Sequence, residues 1–323
     1  LCINLSEIII PSSVQKIGSE AFSACNKIAS FTIPNSVETI GSAAFKGWGY
    51  KQIIYVEDRL GPPDEGWALW DKECNAKVFW LHSSYTAGLK FTLTTNVNGE
   101  KVYQVSADTD LDSENVIIPN NYGGYPVTII ANSAFYQNKN IRTIYIPNTI
   151  EYIERQAFAE CSNLSIVSFQ ENSQLLSIGG SSEVIYGAFY DCESLKNINI
   201  PASVVEIKSN AFAYSGLEKI NFESDSQLET IGSMAFSDCE NLTSIKIPKS
   251  VVTIDKNAFY YCGIVEIEFE ADSKLKNIMS SAFCGSKIKE ITIPENITKI
   301  EHNVFSFCSQ LEKIELPENL LNI

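Results

Sequence analysis

Apolar positions recur along the chain with a period near 23 residues. The clearest marker is an Ala-Phe pair, at Ala21-Phe22, Ala44-Phe45, Ala134-Phe135, Ala157-Phe158, Ala188-Phe189, Ala211-Phe212, Ala235-Phe236, Ala258-Phe259 and Ala282-Phe283, with Val304-Phe305 as a variant. From Phe189 onward the Phe spacings are 23, 24, 23, 24 and 22. Ile-Pro recurs in step, at 10–11, 33–34, 118–119, 146–147, 200–201, 247–248 and 293–294, and Leu316-Pro317 follows. The unit reads L-x-x-I-x-I-P-x-S-V-x-x-I-x-x-x-A-F-x-x-C.

A repeat of this length is one coil of a solenoid. The I-x-I alternation makes a short strand with two side chains inward and one outward. Pro has no N–H for a further ladder bond and ends that strand. V-x-x-I supplies the opposite wall, and Ala leaves room for a tight corner, expected to be short and helical. Phe fills the interior, so stacked coils predict a spine of aromatic rings. The fold expected is therefore an α/β-type repeat solenoid of short β-strands, turns and short helical corners. It is right-handed, with about 12 coils.

A second layer sits on this pattern. Ile-Pro coils alternate with F-[EQ]-x-x-S-x-L coils at 169–175, 222–228 and 269–275, so Phe189 to Phe236 and Phe212 to Phe259 are each 47 residues. Phe158 to Phe189 is 31, and the surplus around 179–187 predicts a loop on a coil edge. Between Phe45 and Phe135 the repeat is interrupted. This island opens with all four Trp (Trp48, Trp67, Trp70, Trp80) and the turn-rich "RLGPPDEGW" at 59–67. "AKVFWL" (76–81) predicts a strand, and 89–107 predicts a hairpin turning at Asn98-Gly99. "NVIIP" at 115–119 restarts the repeat. The division expected is a first array over 1–58, a Trp-rich capping segment and hairpin over 59–115, and a second array over 116–323.

The shared register of I-P-x-S-V-x-x-I-G-x-x-A-F-x-x-C, as in "IPNSVETIGSAAF" (33–45) and "IGSMAFSDCENLTSIKIP" (231–248), resembles the BspA-like leucine-rich repeats of bacterial and protist surface proteins. The resemblance covers roughly 1–55 and 116–323. Gly follows the Ile only at Gly18, Gly41, Gly179 and Gly232. Lys208, Asp255, Met279 and Glu301 stand there elsewhere, so that position needs no positive φ. The resemblance implies a surface or secreted protein and attachment to a host or matrix protein.

Charge narrows the partners. The net charge is −15, and the only Arg are Arg59, Arg142 and Arg155. Nucleic-acid binding needs clustered Lys and Arg and is excluded as the expected function. An anionic membrane surface is disfavoured for the same reason, and no apolar run is long enough to insert. "LCINLSEIII" is not a signal peptide, and the chain reads as a piece of a longer one.

Of the nine Cys, Cys25, Cys161, Cys192, Cys239, Cys262 and Cys308 stand three residues after a repeat Phe, and Cys2 belongs with them. Trp48, Asn138, Ser215 and Ser286 replace them in other coils. A nucleophile or metal ligand would not be exchanged so freely, so these are free, buried, space-filling thiols. "DTDLDSE" (108–114) lacks the Gly and Glu a Ca²⁺ loop needs, since Ser113 and Pro119 stand there. His82 and His302 lie in unrelated contexts, and no catalytic motif appears. No enzyme activity, cofactor or metal is expected. The sequons at Asn4, Asn163, Asn241 and Asn296 largely follow the repeat's own phrasing.

The repeated outward strand positions are then the candidate ligand face: Tyr145, Ser168, Asn199, Asn221, Lys246, Glu266, Glu268, Glu290, Thr292 and Glu315. The function expected is a non-catalytic protein-binding or adhesion segment, extracellular or at the cell surface, whose partner is a host or matrix protein or another surface protein. Oligomer formation stays open. The alternatives are a structural spacer or surface-assembly subunit, and a carbohydrate-binding module built on the Trp-rich island.

Overall fold

The computed structural model describes residues 3–57, 67, 70–71, 73–81, 85–179 and 186–323. Cys2, Arg59, His82 and most of the surplus at 179–187 lie outside them, as does the side chain of Trp80. The chain divides into two units, 1–84 and 85–323. No helix among the described residues is long and apolar enough to cross a membrane.

Each repeat is one coil with two short strands. The long strand is the I-x-I segment, as in Asn197–Ile200 and Ser244–Ile247, where Ile198, Ile200, Ile245 and Ile247 point inward and the residues between them are exposed. Both strands stop at the residue before Pro. The second wall is a two-residue strand ending on the Ile of V-x-x-I. Tyr152–Ile153, Ser177–Ile178, Glu206–Ile207, Thr230–Ile231, Thr253–Ile254 and Asn277–Ile278 pair in parallel, in that order. Between the walls run the Phe rings. From Phe135 to Phe305 successive rings stack at 5.0–5.9 Å with interplanar angles of 3–10°.

The corner is not helical: the described residues contain no helix. Two residues in most corners take positive φ instead, and one, Asp191, in the Ala188 corner. One immediately precedes Ala, as at Gln156 (57°), Asn210 (57°) and Met234 (54°). The other immediately precedes the Cys position, as at Glu160 (58°), Asp191 (55°) and Asp238 (57°). Each left-handed residue breaks the helical progression and turns alternate N–H groups out of the coil. The Phe N–H then reaches the Ala carbonyl of the next coil at 2.7–2.8 Å, from Phe22→Ala44 to Phe259→Ala282. The corner is thus a third hydrogen-bonded ladder beside the two sheets. Gly18, Gly41 and Gly232 need no positive φ, as the substitutions after Ile imply, whereas Gly179 has φ 109°. Three corners are one residue shorter, and two of them place Gly216 and Gly263 where the third has Lys287. A Cβ at either would run into the carbonyl oxygen of Glu193 or Glu240 in the preceding coil.

The alternation of two coil types has a hydrogen-bonding cause. In an F-[EQ] coil the Glu or Gln accepts from the N–H just after the preceding coil's Pro: Asn148→Gln170 Oε1 (3.1 Å), Ala202→Glu223 Oε2 (3.0 Å) and Lys249→Glu270 Oε2 (2.9 Å). In the following Ile-Pro coil, Ser203 and Ser250 donate back to the carbonyls of Leu175 and Leu228 at 2.8 Å. The Ser of the F-[EQ] coil caps its own chain, with Ser173, Ser226 and Ser273 accepting from the N–H of Leu175, Leu228 and Leu275.

In the first unit Ser30–Ile33, Ile53–Glu57 and Lys77–Leu81 form a parallel sheet, so the predicted strand at 76–81 joins this unit. Its core holds Phe31, Phe45, Trp48, Trp67 and Trp70, all buried. In the second unit Leu89–Thr95 and Lys101–Ala107 form the predicted hairpin. Gly99 (φ 79°) turns it, and Asn96 Oδ1 accepts from the N–H of Asn98 and Glu100. Lys101–Ala107 continues in parallel against Tyr125–Ile130. A second hairpin, Asn121–Tyr122 to Tyr125–Pro126, turns at Gly123-Gly124 with φ 56° and 86°. Sequence reading passes over it, although Gly-Gly between alternating apolar residues is its signature.

Two substitutions test this account. Phe236→Ala removes one ring from the spine and is expected to cost about 3–5 kcal/mol in urea unfolding. Glu223→Gln should leave stability unchanged, because Gln170 does the same work, whereas Glu223→Ala should cost about 1 kcal/mol.

Candidate functional site

Parallel, in-register pairing brings equivalent outward side chains of neighbouring coils alongside one another, about 4.8 Å apart. In the second unit Ser244–Ile247, Glu266–Phe269, Glu290–Thr292 and Lys313–Glu315 pair in this way, matching Ser244 to Glu266, Lys246 to Glu268, Glu266 to Glu290, and Thr292 to Glu315. Asn199, Lys246, Glu266, Glu268, Glu290, Thr292 and Glu315 are exposed, and Ser168 and Asn221 are half-buried. Tyr145 is buried, at 5% exposure, and its neighbour Thr143 likewise. The open face therefore does not extend to Tyr145.

The exposed positions are not equivalent electrostatically. Asn221 Nδ2 donates to Asn199 Oδ1 at 2.8 Å. Lys246 Nζ lies 2.8 Å from Glu268 Oε1, and Lys313 Nζ 2.6 Å from Glu315 Oε1. Thr292 Oγ1 donates to the other oxygen of Glu315 at 2.8 Å. The hydrogen bond from Lys313, aided by that from Thr292, holds the Glu315 carboxyl below its usual range, and Glu268 raises Lys246 in the same way. Such exposed pairs add little stability. Glu266 and Glu290 are different. They are directly paired across the sheet and neither joins an ion pair among the described residues, although Glu290 also faces Lys313 on its other side.

A groove of about 670 Å3 lies on this end of the face, where the strands run into their turns. Glu268, Glu290 and Glu315 line it together with Glu270, Asp272 and Glu295. A smaller hollow of about 310 Å3 occupies the equivalent place two coils earlier, beside Lys246 and Asn221. The turn carboxylates Glu270, Asp272 and Glu295 are absent from the strand-register prediction, which follows strand positions alone. The F-[EQ]-x-x-S phrase is the sequence signal that marks the turn beside them.

The other candidates resolve into structural parts. The eight described Cys are free thiols. At the repeat position they do more than fill space: Cys161, Cys192, Cys239 and Cys308 donate S–H to the Phe carbonyl of the preceding coil at 2.9–3.1 Å. Cys262 uses the Cys239 carbonyl instead, at 3.3 Å. Trp48 takes the same place in the first unit, and its indole N–H donates to the Phe22 carbonyl at 2.8 Å. Burial pushes Cys161 and Cys239 up to about 12, and Cys192 and Cys262 well above the usual thiol range. In the acidic stretch, Glu114 pairs with Arg142 at 3.1 Å and Asp108 accepts from the Thr109 N–H at 2.7 Å. No group of three metal-ligating side chains occurs among the described residues. His302 Nδ1 is 3.3 Å from Ser280 Oγ on the surface. The sequon residues Asn163 and Asn296 each donate their amide to a carbonyl of the preceding coil at 2.6 Å.

The sequence matches the family described as BspA type Leucine rich repeat region (6 copies), over residues 1–60, 111–182, 173–274 and 229–323. Among solved structures, the pneumococcal vaccine antigen PcpA is similar at 23% identity and a TM-score of 0.52, over 74% of this chain and 71% of that one, a likeness of fold. A leucine-rich repeat protein of Bacteroides capillosus is 32% identical over 44% of this chain and 100% of its own, with a TM-score of 0.35. A leucine-rich cell surface protein of Faecalibacterium prausnitzii is 22% identical over 70% of this chain and 93% of its own, with a TM-score of 0.25. No curated protein matches the sequence.

A thiol at about 12 is ionised to roughly one part in ten thousand at pH 8, and the thiolate is the reactive form. Cys161, Cys192, Cys239 and Cys262 should therefore resist an aromatic disulfide reagent at pH 8 until the protein is unfolded. Labelled peptides located by mass spectrometry check this, and rapid labelling of any of the four in the native chain would refute it.

Proposed function

Because the chain belongs to the BspA-type leucine-rich repeat family, we propose that it is a non-catalytic recognition segment of a cell-surface or secreted protein. Its ligand, on this reading, is a protein held on the outward strand face of the second unit, between Asn199 and Glu315. A solenoid repeats its exposed face coil after coil, and ligand contacts are made there by many small contributions. The partner is a host or matrix protein, or another surface protein, presenting basic side chains to the C-terminal end of the face.

The observation that carries this is the Glu266–Glu290 pair. Like charges directly opposite one another destabilise a sheet, and neither residue packs into the core. The neighbouring coils show the alternative, a Lys set against a Glu. Glu290 lines the groove and Glu266 stands opposite it on the neighbouring strand. With Glu268, Glu270, Asp272, Glu290, Glu295 and Glu315 set against Lys313 alone, the groove keeps a surplus of negative charge that a cationic ligand would complete. Of the candidate residues, Glu268, Thr292 and Glu315 line it, Asn221 and Lys246 line the smaller hollow two coils earlier, and Asn199 and Ser168 stand on earlier strands of the face.

The carbohydrate alternative draws no support from the aromatics. Trp48, Trp67 and Trp70 are buried at 0–4% exposure within the first unit's core, so their faces are not presented to a sugar.

Binding to a panel of immobilised matrix proteins tests the proposal. Saturable binding to at least one is expected, weakened about tenfold by Glu266→Gln with Glu290→Gln. The melting temperature of that variant should change little, since the repulsion between the two carboxylates is lost together with the attraction of Glu290 for Lys313. If no panel member binds saturably while the full-length protein still assembles at the surface, the spacer reading replaces this one.

A further inference from the structure

The corner ladder carries a surface that the strand face does not include. The positive-φ residue before the Cys position runs Asp191, Tyr214, Asp238, Tyr261, Gly285, Phe307 down successive coils. Bulky side chains are disfavoured at positive φ, where Gly, Asn or Asp fit without strain. Tyr214, Tyr261 and Phe307 nevertheless stand there at φ 60°, 49° and 59°. They are also 50%, 46% and 77% exposed, so burial does not offset the strain. They recur in every second coil, and carboxylates or Gly fill the coils between.

Neighbouring rings extend the row. Tyr136 and Tyr186 lie 6.4 Å apart, Tyr186 and Tyr190 4.7 Å, Tyr190 and Tyr214 5.3 Å, and Tyr260 and Tyr261 4.7 Å. Carboxylates are interleaved with them. Tyr136 donates to Glu160 at 3.1 Å, and Tyr214 hydrogen-bonds Asp238. None of the ion pairs among the described residues uses Glu160, Asp191 or Asp238. Burial, with Tyr214 and Asp191 beside it, pushes the Tyr190 hydroxyl up to about 12. Burial, with Glu193 and Glu160 beside it, raises Asp191. No cation is among these influences.

We propose that this row of Tyr rings and carboxylates, from Tyr136 to Tyr261, is a second docking surface that takes an extended, Lys- and Arg-rich segment of a partner protein. Ring faces and carboxylates both attract a cation, and a cation over a ring tolerates any tilt between neighbouring rings. A sugar platform would want rings sharing one plane, but these meet at 37°, 76°, 54° and 63°. The net charge of −15 repels polyanions. The Phe spine beneath advances in five steps of 5.0–5.4 Å, a length an extended peptide covers in about eight residues.

The test is fluorescence anisotropy with a labelled octapeptide of alternating lysine and threonine, titrated with the full chain. Tyr214→Asn with Tyr261→Asn keeps the net charge and suits positive φ. Binding should weaken about tenfold, with the melting temperature unchanged or raised. Asp191→Asn with Asp238→Asn should also weaken binding, whereas Glu266→Gln with Glu290→Gln should leave it intact. Parent-like binding by the Tyr pair would show that net charge alone attracts the peptide, and would overturn the proposal. Loss of binding only in the Glu266/Glu290 variant would move the peptide to the strand face. A glycan bound by the parent and lost in the Tyr pair, with peptide binding retained, would replace the cationic partner.

Discussion

The structure depends on one recurring hydrogen bond, from the N–H of a repeat Phe to the carbonyl at the Ala position of the next coil. Left-handed residues aim it, two in most corners, and no other element among the described residues supplies the third side of the coil. Once it is made, Ala must stay small because its backbone lies against the neighbouring corner. Phe is then held over the Phe of the next coil with nearly parallel rings. The Cys three residues on lies beneath the preceding Phe carbonyl and donates to it. Sheet register on both walls follows from the same stacking, so the outward side chains have no freedom to slip past one another.

Most of this frame is legible in the residues. The strands, their ends at Pro, the inward Ile positions and the aromatic spine all follow from side-chain size and period. The corner does not. Glu160, Met234 and Tyr261 carry no local signal for positive φ, and an Ala-Phe pair among polar residues reads as a helical turn. What overrides that propensity is a carbonyl one coil away, which local sequence cannot display. The thiols show the same gap. Their burial is readable from the Ser, Asn and Trp exchanges, but the acceptor lies about 26 residues earlier in the chain, as in Cys161 to Phe135. Trp48 makes sense only in that light, as a longer donor to the same carbonyl. Tyr145 has the right parity for the open face and is buried all the same, because parity gives the side of the strand and not what lies over it.

The two surfaces described share a logic. Each takes a position the coil leaves to solvent and fills it, over several repeats, with groups the fold would be better without. On the strand face these are facing carboxylates, and on the corner they are aromatic rings in left-handed backbone. Positions such as Ala24, Gly47 and Gly285 show how little the corner itself demands. The fold tolerates these choices because its stability is distributed over many equivalent coils.

The Glu/Gln and Ser relay between alternate coils has a consequence for how such a chain can change length. A coil of one type leaves an N–H that the Glu or Gln of the other accepts, whereas the Ser-to-carbonyl bond also forms between two Ile-Pro coils, as from Ser36 to Val14. Excising or duplicating a single coil within 169–293 would set two like edges together and take the Glu or Gln acceptor from an N–H after Pro. Removing or copying a pair restores every partner. Changes of length in 47-residue steps therefore keep the Glu or Gln joint of this stretch intact, where a single-coil step would not.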